Sequence, residues 1–398
     1  MPPKPVHLAL FTRSLSGGGG AERVLVHLAG ALADQGARVD VVLAHARGPF
    51  LAEIPRSVRI VDLGAPPARA ALPDLLKTPG DARALLPVLF ASKVTSVLGA
   101  IRPLAHYLRE TSPGALLSLM DYSNVTALLA RRGAGVATRI AVSVHNHVSA
   151  SVRCADRMHT RRLPLLVRRF YPEADAVVAV SNGVADDLVQ VAGLPRERVH
   201  RIYNPVLIPE IADLALEPLE HPAFADDVPV VLGVGKLKKQ KDFENLIRAF
   251  ALVRRRRPAR LVILGRGKRH RGLLALGERL GVADDLHLPG FTSNPYPYMA
   301  RASVFVLSSR YEGFGNVLVE AMACGCPVVS TDCQSGPSEI LENGRYGRLT
   351  AANDPEGLAS AICATLDDAP VRSELEKRAG EFTAAASAIE YRRLLLGG

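Results

Sequence analysis

The sequence predicts an α/β protein made of two doubly wound, parallel-sheet domains, and three observations carry that prediction. Short apolar runs alternate with segments of helical periodicity along both halves, the pattern of βα units whose strands are buried on both faces. A proline- and acid-rich stretch at residues 206–229 interrupts the alternation once. At 398 residues the chain exceeds one ordinary core. The expected domains are 1–205 and 230–378, joined by 206–229 as a linker, with a closing helix at 379–398 that returns to the first domain.

Composition narrows the classes. With 48% hydrophobic and 22% charged residues the chain reads as soluble and globular. Its formal charge of +10 is uneven: residues 1–200 hold 24 Lys+Arg against 15 Asp+Glu, whereas 201–398 hold 25 against 24. The basic half is compatible with nucleic acid, anionic lipid or an acidic substrate. Cys154, Cys324, Cys326, Cys333 and Cys363 show no Cys-x-x-Cys pair or zinc-site spacing, so they read as small residues in a reducing cytosol. No secretory leader is expected from the first residues. No apolar run approaches the roughly 18 residues that suggest a membrane span, so any membrane contact would be peripheral.

Residues 6–11, VHLALF, read as a buried strand that empties into SLSGGGGAERVLVHLAGALADQG. The glycines at 17–20 precede a helix ending near Gly36, and residues 37–44 read as the second strand, a βαβ opening with a glycine loop at its first junction. Dinucleotide binding would ask for Gly-x-Gly-x-x-Gly and an acid about 20 residues on, a part open to Asp40, but GGGGAE lacks that spacing. Between 83 and 110, Leu86, Phe90, Val94, Val97, Ile101, Leu104 and Leu108 fall in a helical stripe of about 100°, flanked by Lys93, Arg102 and Arg109. Such a stripe fits a core helix with snorkelling bases, the commoner arrangement, or a helix on a membrane surface. Residues 115–120 and 139–144 read as further strands, the second leading into His145, Asn146 and His147. A histidine at a strand's carboxyl end lies where open α/β sheets bind ligands, although local hydrogen bonding explains it equally. The arginines at 153, 157, 161, 162, 168 and 169 supply much of the first half's charge. Strand 175–181 and helix 184–193 close the half.

The second series starts with strand 230–234, then Gly235, Lys236 and Lys238 to Lys241, then the helix 243–257, whose closing arginines complement its C-terminal dipole. Strands 260–264, 286–288 and 302–307 follow, with GRGKRHRG between the first two. Residues 311–327, YEGFGNVLVEAMACGCP, hold the strongest local signal. They read as a loop and helix start in which Gly313 and Gly315 admit close backbone approach and the helix near Asn316 points unpaired N–H groups at an anion. Glu312 and Glu320 border that spot, and carboxylates beside phosphates suit hydroxyls. Phosphates flanked by polyols describe a nucleotide sugar. A strand at 327–330 and a helix at 382–396 complete the reading. Two such halves would set the carboxyl ends of both sheets at a shared cleft.

With GGGGAERV, VSNGVADDL, YNPV, GVGKLKKQKDFENLIRAF, EGFGNVLVEAMACGCPVVS and SGPSEILENGRYG in view, the sequence resembles the retaining glycosyltransferases of family 4 along nearly its whole length. That resemblance implies the GT-B fold, two Rossmann-like domains facing a cleft. It implies that Glu312 binds a hydroxyl of the donor sugar, Glu320 the ribose, and Lys236 and Lys241 the diphosphate, with His145 near the sugar and β-phosphate. Gly18, Gly19, Phe314, Gly315, Asn316 and Val317 would line sugar and phosphates, and the region 290–294, with Phe291, would hold the base. Many relatives carry arginine where Lys236 stands, so bidentate gripping is replaced by a point charge.

Transfer needs charge stabilisation on the leaving nucleoside diphosphate, which cations and oriented N–H groups supply. No Asp-x-Asp occurs, so metal-independent catalysis without a cofactor is expected. The resemblance implies same-face attack with the donor phosphate taking the acceptor's proton. The loop TDCQSGPSEI resembles members that use UDP sugars to build lipopolysaccharide, capsule or lipid-linked glycans, so the expected partners are a UDP sugar and a glycan or polyprenyl-diphosphate acceptor. The expected location is the cytoplasm, with possible contact at the anionic inner-membrane face and no nucleic acid partner. A nucleotide-sugar epimerase on the same fold and a non-catalytic nucleotide-sugar or lipid-binding protein are the alternatives.

Overall fold

A computed structural model of the chain describes residues 5–16, 19–91 and 94–397. It divides into two compact units: one runs to Pro205 and takes in the last helix from Ala384, and the other spans Val206–Thr383.

The first unit is built on β1 (His7–Thr12), β2 (Arg38–Leu43), β3 (Arg59–Asp62), β4 (Ala115–Leu119), β5 (Arg139–Val144), β6 (Ala176–Ala179) and β7 (Val199–Arg201). Their order is β3-β2-β1-β4-β5-β6-β7, and every neighbouring pair is parallel. β4 and β6 bury every residue, which is why they consist of Ala, Leu, Val and one Ser rather than an alternating pattern. The second unit repeats the plan with β8 (Val230–Val234), β9 (Arg260–Leu264), β10 (Leu286–Gly290), β11 (Val304–Leu307), β12 (Val328–Thr331) and β13 (Arg348–Thr350), ordered β10-β9-β8-β11-β12-β13. In each sheet the first strand lies beside the fourth, so the winding reverses at β1/β4 and at β8/β11. At such a reversal the connecting chains depart in opposite directions and leave a crevice at the carboxyl ends.

The last helix, Ala384–Leu396, belongs to the first core, where Ala388, Tyr391 and Leu395 are buried with the β1, β2 and β4 side chains. Tyr391 Oη lies 3.3 Å from Ser143 Oγ, and Ser387 donates to the Tyr203 carbonyl at 2.9 Å. Fifteen residues distant in sequence from the rest of the unit therefore close it.

Three expectations need correction. Residues 206–229 are not a free linker: they are part of the second unit, where the helix Ile211–Leu216 is tied down by Asn294, which donates to the Leu214 carbonyl at 2.9 Å and to Glu217 at 2.8 Å. The apolar stripe of 83–110 is not one helix. Pro79–Leu85 and Ile101–Thr111 are helical, with short 3-10 turns at Leu86–Val88 and Thr95–Ala100, so the stripe splits into a buried half from Val97 onward and an exposed half at Leu86, Phe90 and Val94. Lys93 lies outside the described residues. The strands β3, β7 and β13 had no counterpart in the sequence reading: all three are short edge strands bearing arginine, and exposed edges tolerate charge where central strands do not.

Tyr391→Ala should destabilise the first unit by about 3–5 kcal/mol, because it opens a cavity between helix and sheet. Leu396→Ala, at a half-exposed position of the same helix, should shift stability by less than about 0.5 kcal/mol. Urea unfolding of both variants measures the difference.

Candidate active site

The β8/β11 crevice of the second unit is assembled from two loops. After β8 the chain turns at Gly235, whose N–H donates to the Leu264 carbonyl at 2.9 Å, and passes through half-buried Lys236 to a 3-10 turn, Lys239–Lys241. After β11 it runs through Ser308, Ser309, Arg310 and Tyr311 to Glu312. These loops are laced together: Ser308 Oγ donates to the Lys241 carbonyl at 2.8 Å, Gln240 donates to the Tyr311 carbonyl at 3.1 Å, and Arg310 grips Asp242 at 2.8 and 3.1 Å. Asp242 is buried and holds φ at +46°, a left-handed conformation that costs a non-glycine residue energy and persists because Arg310 and the next helix, Phe243–Arg254, hold it.

That scaffold delivers Lys241 Nζ to 2.6 Å from Glu312 Oε1, and Ser309 Oγ donates to the same oxygen at 2.6 Å. Both side chains are largely buried. Lys241 and Glu312, expected to hold different parts of one ligand, here neutralise each other. Arg310, Asp242 and Ser309, which fix the pair, were missed by the sequence reading; their adjacency to KLKKQK and YEGFG was the available signal.

The helix following the pair is Asn316–Ala323. Gly315 precedes it with φ at +107°, which lets the chain turn sharply so that the first-turn N–H groups face the crevice. Phe314 contributes backbone only, since its ring is buried edge-on against Phe382 at 5.4 Å. Val317 is half-buried, whereas Leu318, Ala321 and Met322 of the same helix are fully buried. Glu320 is buried within the same helix. The GRG segment, which said little as sequence, has a structural reason: a Cβ on Gly265 would be driven into the Gly235 carbonyl and one on Gly267 into the Leu237 carbonyl, so both glycines let the two loops stack. Between them Arg266 places its guanidinium 5.2 Å from the centre of the exposed Phe291 ring, a flat cationic platform of the kind on which a base stacks.

In the first unit the β1 loop reaches the helix Gly20–Asp34 through Gly19; Gly18 lies outside the described residues. The Gly19 N–H, expected to face phosphate, donates to the Glu22 carboxylate at 3.4 Å. Asp40 is excluded as a ribose ligand: it is fully buried on β2, bonded by Tyr107 at 2.6 Å, by His7 at 2.9 Å and by Arg59. His145 follows β5. One ring nitrogen, Nε2, lies 3.1 Å from Ser143 Oγ, while Nδ1 is buried with no hydrogen-bond partner among the described residues. Burial lowers its pKa to about 4, so the ring is neutral at physiological pH and carries one N–H rather than a charge. His147 instead caps the following helix and pairs with Asp187 at 3.1 Å.

A second titratable group at the carboxyl edge of this sheet was absent from the sequence reading. β4 and β5 run parallel with Leu119 opposite Ser143, so Asp121 emerges level with His145 at the carboxyl edge. Met120 before it holds φ at +84° and ψ at 141°, and burial raises the Asp121 carboxyl to about 6. The only sequence signal for Asp121 was its place after a buried strand.

Two family models match the chain: Glycosyltransferase Family 4 over residues 18–207 and Glycosyl transferases group 1 over residues 228–368. The chain is 35% identical over 236 residues to an N-acetylgalactosamine-N,N'-diacetylbacillosaminyl-diphospho-undecaprenol 4-alpha-N-acetylgalactosaminyltransferase of Campylobacter jejuni, covering 58% of this chain and 63% of that one. It is 32% identical over 231 residues to the lipopolysaccharide core biosynthesis glycosyltransferase LpsE of Rhizobium meliloti, covering 57% and 65%. The matches thus span a little under two thirds of these curated relatives. Among solved structures, Anabaena HepE in complex with UDP-glucose superposes with a TM-score of 0.73 over 98% of this chain and 100% of that chain, at 21% identity, a likeness of fold.

The two edge groups of the first sheet predict opposing pH effects. The lowered His145 pKa means stability is complete above its unfolded value near 6.5 and is lost as pH falls toward 4. The raised Asp121 pKa acts the other way: its contribution is present at low pH and disappears as pH rises through about 6. Asp121→Asn should therefore steepen the acid-side loss of stability relative to the parent, and His145→Gln should flatten it. Thermal unfolding from pH 4 to pH 7 compares the three proteins.

Proposed function

As the chain belongs to the family 4 glycosyltransferases, its two domain models matching residues 18–207 and 228–368, we propose that it transfers a sugar from a nucleotide diphosphate sugar, UDP-linked first, to a glycan or lipid-linked acceptor in cell-envelope synthesis. The observation that supports this most directly is the Lys241–Glu312 pair at the β8/β11 crevice, beside a helix N-terminus and the Arg266–Phe291 platform. A cation, an acceptor-rich carboxylate, oriented N–H groups and a stacking surface are the four things a nucleotide sugar asks of a protein. The Campylobacter relative's name places its acceptor on diphospho-undecaprenol, and HepE was solved with UDP-glucose, which support the lipid-linked acceptor and the donor class.

On this reading the donor's β-phosphate draws the Lys241 ammonium, which is held near it by the Ser308 and Gln240 hydrogen bonds. Glu312, still anchored by Ser309, has lone pairs left for a sugar hydroxyl. The bond between the anomeric carbon and the phosphate oxygen breaks as the acceptor hydroxyl forms the new bond on the same face, its proton passing to the departing phosphate. Charge grows on the nucleoside diphosphate during that step, so Lys241, Lys236 and the helix N–H groups bind the transition state more strongly than the ground state. The step needs no metal, and the acceptor is used at the cytoplasmic membrane face.

Lys241→Met should lower kcat by roughly 10² to 10³, the scale for losing one group that stabilises developing charge. Transfer should continue in EDTA. Nuclear magnetic resonance of the product, made from a UDP sugar and a polyprenyl-diphosphate-linked glycan, should show the donor's anomeric configuration retained; an inverted product, or conversion of donor without acceptor, would remove this reading.

A further inference from the structure

The exposed half of the 83–110 stripe meets the arginine run of 153–169 in one place. A recess of about 910 Å³ is lined by Arg83, Arg161, Arg162 and Arg169 together with Leu86 and Leu165. Of the four arginines, Arg169 is answered by the buried Asp81 at 2.9 Å and Arg161 by a backbone carbonyl, whereas Arg83 and Arg162 have no carboxylate partner among the described residues. The apolar side chains in its lining are open to water, Leu165 47% exposed and Leu86 37%, and Phe90, in the segment directly after the lining residues Leu86 and Pro87, is 73% exposed. Covering such side chains is favourable, so an apolar surface beside the arginines marks an interaction surface. The Tyr122 hydroxyl donates at 2.9 Å to the carbonyl of His159, in the helix Met158–Arg161. This ties the face to the chain directly after Asp121, at the carboxyl edge of the first sheet.

We propose that this face of the first unit docks on an anionic phospholipid bilayer. The inference rests on the lipid-linked acceptor proposed above and names the surface that would bring it within reach. Charge complementarity selects the occupant: phosphodiester headgroups answer Arg83, Arg162 and Arg161, while Phe90, Leu86 and Leu165 enter the boundary between headgroups and acyl chains, where amphipathic surfaces gain area burial and electrostatic attraction together. The bases act within a Debye length, so salt weakens the docking, and the apolar groups preserve part of it.

Flotation of the full chain with phosphatidylglycerol-rich vesicles, with phosphatidylcholine vesicles, and at low and high salt tests the proposal. The parent chain should float with anionic vesicles, less so at high salt, and not with neutral ones. Arg83→Gln and Arg162→Gln should each weaken partitioning by about five-fold, and Phe90→Ser combined with Leu165→Ser should remove the part that survives salt. Arg255→Gln with Arg256→Gln, an exposed pair on the second unit, serves as a charge-matched control and should bind as the parent does. Equal flotation with neutral vesicles, or equal losses from the control pair, would overturn the proposal. Circular dichroism melting confirms that each variant is folded. UDP-sugar binding, followed in the same proteins, separates the two readings: its loss in the parent speaks against the proposed donor, whereas its retention without flotation speaks against this surface alone.

Discussion

The Lys241–Glu312 ion pair is the constraint on which the second unit's crevice depends. A lysine and a glutamate this deeply buried are tolerable only as partners, since either one alone would carry an unanswered charge away from water. Their meeting requires the turn after β8 and the loop after β11 to lie side by side, and four hydrogen-bonding residues, Gln240, Ser308, Ser309 and Arg310, enforce it. The strained Asp242 is the cost of that geometry. The hydrogen bonds fix the backbone of both loops, so the two charged side chains are placed by folding itself.

The first unit uses the same topological device with different chemistry. Its reversal lies between β1 and β4, and the groups at the carboxyl edge are a neutral imidazole and a carboxyl with a raised pKa rather than a paired salt bridge. A polar group with an open hydrogen-bonding atom is costly inside a protein, and among the described residues the buried Nδ1 of His145 has no hydrogen-bond partner. Among the described residues no helix is long and apolar enough to cross a membrane.

Much of this was legible beforehand. Ten of the strands read directly as apolar runs, because a strand covered on both faces must be apolar throughout. The edge strands β3, β7 and β13 escaped, since an edge position relaxes that demand and leaves sequences such as RIVD indistinguishable from loop. Within the site, Glu312, Glu320, Lys236, Lys241 and Gly315 were singled out from their neighbours in sequence. Arg310, Asp242, Arg266 and Asp121 were not, because each acts through a residue far away in the chain: Arg310 through Asp242 at a separation of 68 residues, and Asp121 through a register with β5 that no local pattern contains.

By itself the sequence determined the alternation of strands and helices, the two-domain plan, and the glycine- and lysine-bearing loops that follow β8 and β11, because periodicity and glycine placement act over a few residues. Tertiary structure alone decided which of those loops touch. It turned Lys241 and Glu312 into partners and made residues 206–229 part of the second unit rather than a tether. It split one apolar stripe into a buried half and an exposed one. The physical reason is common to all three: burial and pairing are properties of what lies across a contact, and a contact between distant residues is not written in the spacing of either.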